Sequence, residues 1–527
     1  MDQPNFLFII TDQQRHDHLG CAGNTILKTP NIDAIAAQGT RFENFYVASA
    51  VCMPNRASIM TGRMPSAHGV RFNGIPLARE SVTFVDLLRA SGYQTALIGK
   101  SHLQNFTEMA VTYPQDDSPG TPPPDALSDA MRMRFEGAEY EYERVSNQER
   151  SGYRGLTTPF YGFDHVELCT RHGDRVQGHY ADWLESRHPN SDALRSRDNL
   201  IPDERYIAPQ AYRTSVPEAL HSTAYVAERT QAYMEAHASQ KAGSPFYIQC
   251  SFPDPHHPFA PPGKYWDMYD PDQIPLPASF HQDDLPPTVA FIQDQTKQGN
   301  IDRTTIRPFA ASEREMREII ALTYGMIANV DDAVGRVLAT LRSLGLDKNT
   351  IVVFTSDHGD FMGDHGIVLK GPLHYKGVAK VPFLWRDPAL ESSGRTLSGL
   401  GQSLDIASTV LARAGLAPFS GMQGRDLGPM LRGERDAVRD RLLIEQDAQQ
   451  ANFGFSGPIR ARTLINCRWR LSTYQGSDFA ELYDLENDPE EVNNLWGSHP
   501  EQAQLLRDMV DEMTDLQDSS PRPTMYA

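Results

Sequence analysis

Cys52 begins a stretch whose residue types and spacing could do chemistry: Cys52-Met53-Pro54-Asn55-Arg56, followed by Thr61-Gly62-Arg63. Pro54 suits a first helical turn, because its fixed φ fits the helix start and the N–H that it lacks would have no partner there. Cys52 is therefore expected just before a helix N-terminus, beside free backbone N–H groups and the positive end of the helix dipole. Arg56, about one turn on, can point back to the same spot. A nucleophile, a fixed cation and an anion-friendly helix end converge there. Taken alone, a five-residue pattern is weak, and a free cysteine is more often a small buried hydrophobe.

Further chemistry collects behind short apolar runs. Asp12 and Gln13 follow Phe6–Ile10, Lys100 and His102 follow Thr95–Ile98, His256 follows Phe246–Cys250, and Asp357 and His358 follow Thr350–Phe354. In an open parallel α/β sheet such strand ends share one edge, where ligands bind. Any one of these residues is more often a cap or a satisfied surface group, but four such clusters are hard to dismiss together. Asp12, Gln13, Asp357 and His358 form a mainly oxygen ligand set that suits a hard divalent cation such as Ca²⁺ or Mg²⁺. Arg56, Lys100, His102, His256 and Lys370 supply donors for a tetrahedral oxyanion.

Cys-x-Pro-x-Arg with the following Thr-Gly-Arg resembles the signature of the type I sulfatases of the alkaline phosphatase superfamily. Lys100-Ser101-His102 matches that family's Lys-x-His, and His256-His257-Pro258 matches its His-x-Pro. Lys370, ahead of Tyr375 and Val381-Pro382, matches its later lysine, and Leu482–Leu495 resembles its C-terminal signature. The resemblance implies an alkaline phosphatase-like fold. It implies that a formylglycine-generating enzyme oxidises Cys52 to formylglycine, whose hydrate is the nucleophile at a metal held with Asp12, Gln13, Asp357 and His358. It also implies an arylsulfatase-like hydrolase that converts small anionic sulfate monoesters to an alcohol or phenol plus sulfate, with Arg56, Lys100, His102, His256 and Lys370 as catalytic residues. Gln13 and His358 stand where sulfatases usually have an acid and an amide. That exchange resembles the phosphonate monoester hydrolase branch, keeps a phosphonate monoester or phosphodiester hydrolase as the alternative, and leaves Mn²⁺ open beside Ca²⁺. Lys100 and His102 oppose that branch, which resembles enzymes with neutral hydroxyl residues in this area. Asn73 could contact the anion or simply serve a turn. Two lesser readings are a Cys52 thiolate nucleophile and a metal-stabilised binding module.

The elements that must position these residues form an α/β fold: a large mixed, mostly parallel sheet sandwiched by helices, with a smaller C-terminal α+β subdomain. Continuous apolar runs predict strands buried on both faces at Phe6–Ile10, Thr95–Ile98, Phe246–Cys250 and Thr350–Phe354. Helices are expected from Pro30 to a stop at Gly39, after a Ser81 cap, from about Pro217 to His237, over Glu313–Leu344 and over Leu404–Ala414. The catalytic domain is expected over 1–434, with irregular insertions at about 105–215 and 261–308, and the subdomain over 435–527.

The 527 residues carry 49 Lys plus Arg against 68 Asp plus Glu, a net charge of −19 that argues against nucleic-acid or anionic-membrane binding. The five scattered cysteines form no disulfide or zinc pattern. The N-terminus lacks a basic region, and no apolar run approaches the ~20 residues of a membrane span. The chain reads as cytoplasmic, and its long irregular segments could pack against a second copy in a homo-oligomer.

Overall fold

The computed structural model describes residues 3–111, 124, 127, 135–146, 156–240, 243–390 and 394–517. Each of the apolar runs becomes a strand. In chain order these are β1 (Asn5–Thr11), β2 (Thr40–Tyr46), β3 (Gln94–Lys100), β4 (His165–Thr170), β5 (Gln177–Gly178), β6 (Phe246–Ser251), β7 (Phe309–Ala310), β8 (Thr350–Ser356), β9 (Ile367–Val368), β10 (Phe383–Arg386) and β11 (Arg395–Gln402). Nine of them make one sheet in the order β11-β2-β10-β8-β1-β6-β3-β4-β5, while β7 and β9 pair separately. The run β8-β1-β6-β3-β4 is parallel throughout. β10 and β5 lie antiparallel beside its two ends.

The period of two along β1 explains why its sequence is apolar at every step. Phe6, Phe8 and Ile10 enter one apolar layer, and Leu7 and Ile9 enter the other. The helices Phe84–Ala90 and Asp405–Arg413 cover the first face. Ser222–Ser239 and Glu313–Ser343 cover the second. The long helix starts at a reciprocal cap in which Ser312 accepts from the Glu315 N–H and the Glu315 carboxylate accepts from the Ser312 N–H. Its Asp331 carboxylate accepts from the N–H groups of Asn31 (3.1 Å) and Ile32 (2.8 Å), and so fixes the start of the helix Pro30–Ala37.

A second, antiparallel sheet follows, with β12 (Arg441–Ala451), β13 (Pro458–Asn466), β14 (Trp469–Tyr474) and β15 (Ala480–Asp484) in sequential order. Leu505 and Met509 of the helix Gln502–Gln517 pack on its Leu443, Leu464 and Leu471. The two sheets meet where the Glu445 N–H donates to Ala48 O (2.9 Å) and Gln402 Nε2 donates to Leu443 O (2.6 Å). Among the described residues no helix is long and apolar enough to cross a membrane.

Three expectations need correction. The segment 105–215 is not only irregular: β4 joins the main sheet parallel to β3, with Lys100 opposite Cys169. Its polar residues hid it. Glu167 is satisfied by Arg229 (2.8 Å) and Tyr225 (2.9 Å) from the helix beneath, which a local pattern cannot reveal. The segment 261–308 contains the helix Pro287–Lys297. The helix expected after Ser81 is capped by Thr83, whose side chain and Asp86 form the reciprocal box. Of Pro122-Pro123-Pro124, the first two lie outside the described residues.

Arg470 joins the C-terminal sheet to the loop behind Lys370. Its guanidinium stacks between Tyr375 (4.8 Å) and Tyr483 (4.6 Å), pairs with Glu491 and lies 3.7 Å from Glu481. Glu491 in turn accepts from the Lys376 N–H at 2.6 Å. Removing one partner of a buried pair leaves the other charge uncompensated, at a cost of about 3–5 kcal/mol. Arg470→Met is therefore expected to lower the melting temperature strongly, and Arg470→Met with Glu491→Gln to recover part of the loss. Calorimetric melting checks this, and an unchanged midpoint in the single variant would remove the proposed seam.

Candidate active site

The C-terminal edge of the parallel strands gathers the residues singled out in the sequence. Asp12 and Gln13 follow β1, Lys100 and His102 follow β3, His256 follows β6, and Asp357 and His358 follow β8. Gly99 is required one residue before Lys100: its φ is +110°, and a Cβ there would lie 1.8 Å from Ser251 O of β6. Cys52 is the first residue of the helix Cys52–Thr61 rather than the residue before it, with Val51 as N-cap. Asn55 Nδ2 donates to Asp357 O (2.5 Å), which locks the helix onto the end of β8.

Each site carboxylate has one oxygen held by cations. Asp12 Oδ2 accepts from Lys100 Nζ and lies 2.9 Å from His172 Nε2. Asp357 Oδ2 accepts from Arg56 Nε (2.7 Å) and lies 3.7 Å from Lys100 Nζ. The other oxygens turn inward: Asp12 Oδ1 is 3.9 Å from Cys52 Sγ and 3.6 Å from His358 Nε2, and Asp357 Oδ1 is 3.6 Å from His358 Nε2. Cys52 Sγ is 3.1 Å from His358 Nε2 and 3.0 Å from Lys370 Nζ. Ligand atoms of Asp12, Cys52, Asp357 and His358 all lie within 4.8 Å of one another.

These donors fit a divalent cation. His358 Nδ1 is paired with Gly359 O at 2.8 Å, which leaves Nε2 turned to the centre. Gln13 Nε2 donates to Asp360 Oδ2 at 2.6 Å, so its Oε1 faces the same centre. The Lys370 ammonium lies 3.0 Å from Gln13 Oε1 and 2.8 Å from His358 Nε2, so lone pairs already converge on a positive charge. Burial pushes the Asp12 carboxyl up, but Lys100, His256 and His172 outweigh it and hold Asp12 well below its usual range. Burial likewise raises the Cys52 thiol, yet Lys100 and Lys370 bring it down to about 6.

The remaining expected residues surround this centre. Arg56 bridges Lys100 O and Ser251 Oγ, each at 3.0 Å, and its second terminal nitrogen is buried with no partner among the described residues. His102 stacks on Phe106 (3.9 Å between ring centroids), and both its ring nitrogens are buried without partners among the described residues. His256 Nδ1 pairs with His257 O (2.6 Å), and its Nε2 lies 3.2 Å from Lys370 Nζ. Asn73 caps instead of reaching the centre: its Oδ1 accepts from the Met53 N–H at 3.1 Å.

Four residues escaped the sequence reading. His172 lies against Asp12 and His256, beyond the unrecognised β4. Glu143, part of a run that reads only as acidic, accepts from the N–H groups of His102, Leu103 and Gln104 at 2.8–3.1 Å and shapes the turn after β3. His257 Nδ1 lies 3.2 Å from Gln13 Nε2. Asp360, raised to about 6 by burial, holds Gln13 and the Leu369 N–H. The polar run after β8 was a signal for Asp360; no local signal marks His172.

Comparison with known proteins identifies the family. The family model "Sulfatase" matches residues 4–416, and that of the N-sulphoglucosamine sulphohydrolase C-terminal region matches 363–519. An arylsulfatase of Clostridium perfringens is 27% identical over 96% of this chain and 94% of its own length. The multifunctional alkaline phosphatase superfamily protein PehA of Trinickia caryophylli is also 27% identical over the same shares. The crystal structure of the phosphonate monoester hydrolase of Agrobacterium radiobacter superposes with a TM-score of 0.74 at 25% identity, over 99% of this chain and 100% of that one. Because the family model spans well over half of its residues, this chain belongs to the sulfatase family.

Proposed function

We propose that this enzyme hydrolyses sulfate monoesters to an alcohol or phenol and inorganic sulfate, with a nucleophile derived from Cys52. The observation that carries this reading is the convergence of Cys52, two cation-held carboxylates and Lys370 on one buried point. Asp12, Gln13, Asp357, His358 and residue 52 would hold one divalent cation. Ca²⁺ suits the oxygen donors best, the His358 nitrogen leaves Mn²⁺ open beside it, and Mg²⁺ is a further candidate. Residue 52 is read as formylglycine, the product of a formylglycine-generating enzyme; its hydrate offers two hydroxyls, and the cation when bound lowers the pKa of one of them.

The chain's own side chains have separable tasks. Arg56, Lys100 and Lys370 neutralise charge on the sulfuryl oxygens. Asp357 takes part in orienting the hydroxyl of residue 52. His256, whose Nε2 lies 3.2 Å from Lys370 Nζ, protonates the leaving oxygen; burial and the neighbouring His172, His257 and Lys370 hold its pKa well below the usual value, and the negative charge of a seated ester favours the protonated ring. His102, whose nitrogens have no partner among the described residues, takes the proton of the second hydroxyl. The five free cysteines support a reducing, cytoplasmic setting.

A second reading, phosphonate monoester or phosphodiester hydrolysis at the same centre, is favoured by Gln13 and His358 and by likeness to the Agrobacterium enzyme. Such esters carry the same single charge as a sulfate monoester. A panel of aryl sulfates, phosphonate monoesters and phosphodiesters distinguishes the two by kcat/KM.

Three outcomes are expected. Peptide mass spectrometry of active enzyme should find an aldehyde at residue 52; full activity in material with only unmodified Cys52 would sink the nucleophile assignment. Asp12→Ala with Asp357→Ala should bind no stoichiometric divalent cation by elemental analysis, and retained metal means that the ligand set is misplaced. His256→Ala should slow esters of poor leaving groups most, because acid catalysis matters most for a basic leaving oxygen. His102→Ala should instead give a burst of phenol and then slow turnover. Equal leaving-group sensitivity in both variants, with no burst, contradicts this division of roles.

A further inference from the structure

Four of the five parallel strand ends supply the residues used above, and the fifth, after β4, delivers His172. Arg171 before it has φ +64°, in the same left-handed region as Gln13, His102 and Leu369. Backbone of this kind persists only where its surroundings over-determine it. A Cβ on the next residue, Gly173, would lie 2.7 Å from Pro258, so this turn packs directly on the His256–Pro258 segment. The His172 ring lies flat on that of His256, with centroids 3.5 Å apart and an 8° interplanar angle.

The hydrogen bonds assign the proton on His172. Its Nε2 lies 2.9 Å from Asp12 Oδ2 and 3.2 Å from Lys100 Nζ. A ring nitrogen 2.9 Å from a carboxylate oxygen is the one that carries the hydrogen between them, so Nε2 donates to Asp12 and Nδ1 is the ring atom left as an acceptor. Nδ1 has no hydrogen-bond partner among the described residues and is not sealed from solvent. The side chain is 15% exposed, whereas His102, His256 and His358 are buried. An unused, solvent-accessible acceptor therefore stands on the ring stacked against the group assigned to the leaving oxygen.

We propose that His172 Nδ1 accepts a hydrogen bond from a hydroxyl on the carbon next to the sulfated one, so that sulfate esters of polyols or sugars are preferred over esters lacking it. This inference rests on the proposed sulfatase reaction and names the alcohol that the reaction prefers.

The test compares trans-2-hydroxycyclohexyl sulfate with cyclohexyl sulfate on the metal-loaded enzyme, with 4-nitrophenyl sulfate as a reference. One neutral hydrogen bond corresponds to a preference of about three- to tenfold in kcat/KM for the hydroxy ester. His172→Phe keeps the stacked ring without the acceptor and should bring the ratio close to one. His172→Asn places an amide oxygen near the Nδ1 position and should retain the preference. The same ratios are expected in dissociation constants measured by calorimetry on Cys52→Ala. A wild-type ratio of one, or a ratio that His172→Phe leaves unchanged while both esters weaken alike, overturns the inference and leaves the sulfatase reading intact. Failure to release sulfate from any of the three esters overturns that reading and the inference with it.

Discussion

The pairing of two fully buried carboxylates, Asp12 and Asp357, with Lys100 and Arg56 is the constraint that the rest of the structure must serve. Taking such charges out of water costs several kcal/mol per ion, and only close, well-directed partners offset this. The partners come from elements far apart in the chain: β1, the helix that starts at Cys52, β3 and β8. A stiff parallel sheet, packed on both faces, brings four strand ends to one edge with little freedom. Arg56 is further tied to backbone and hydroxyl oxygens of β3 and β6, so the cluster also cross-links the strands that create it. The C-terminal sheet extends this logic to Lys370. His374 and Tyr375, just beyond that lysine, are held by Thr463, Gln446 and Glu481.

Much of this was legible in the sequence because a strand buried on both faces leaves a continuous apolar run, and polar residues behind such a run stand out. That reasoning found Asp12, Gln13, Lys100, His102, His256, Asp357 and His358. It failed for β4, where His165 and Glu167 interrupt the apolar pattern; the two pair with each other, and Glu167 is further satisfied by Arg229 and Tyr225, distant in sequence. His172 was lost with that strand. Glu143 illustrates a second limit: a carboxylate wrapped by three backbone N–H groups cannot be told by composition from a solvated acid. Asn73 was left open between anion and turn, and the structure resolves it as the partner of the helix start beside Cys52. The fold class needed only local patterns, whereas these residues depend on which loops meet.

Backbone strain recurs where these loops meet. Gln13, His102, Arg171 and Leu369 all have positive φ, each at or next to a side chain aimed into the centre. For residues with a Cβ such conformations cost on the order of 1–3 kcal/mol each. The hydrogen bonds of Glu143 and Asp360 hold the turns after β3 and before Lys370 against that cost. These two acids, remote from any reacting atom, are thus as much a part of the site's construction as the residues that they aim.

The burial of Cys52 has a consequence for the order of events during synthesis. In the folded chain its sulfur is enclosed, with the residue 1% exposed and its start of helix pinned by Asn55 and Asn73. No second protein can reach it there. Arg470 and Glu491, which hold the loop behind Lys370, are made 418 and 439 residues after Cys52. At about 5–20 residues per second, that interval is on the order of 20–90 s. On the proposed formylglycine nucleophile, translation itself would set the time available for covalent conversion of residue 52, and chains that close before conversion would remain inert however well they fold.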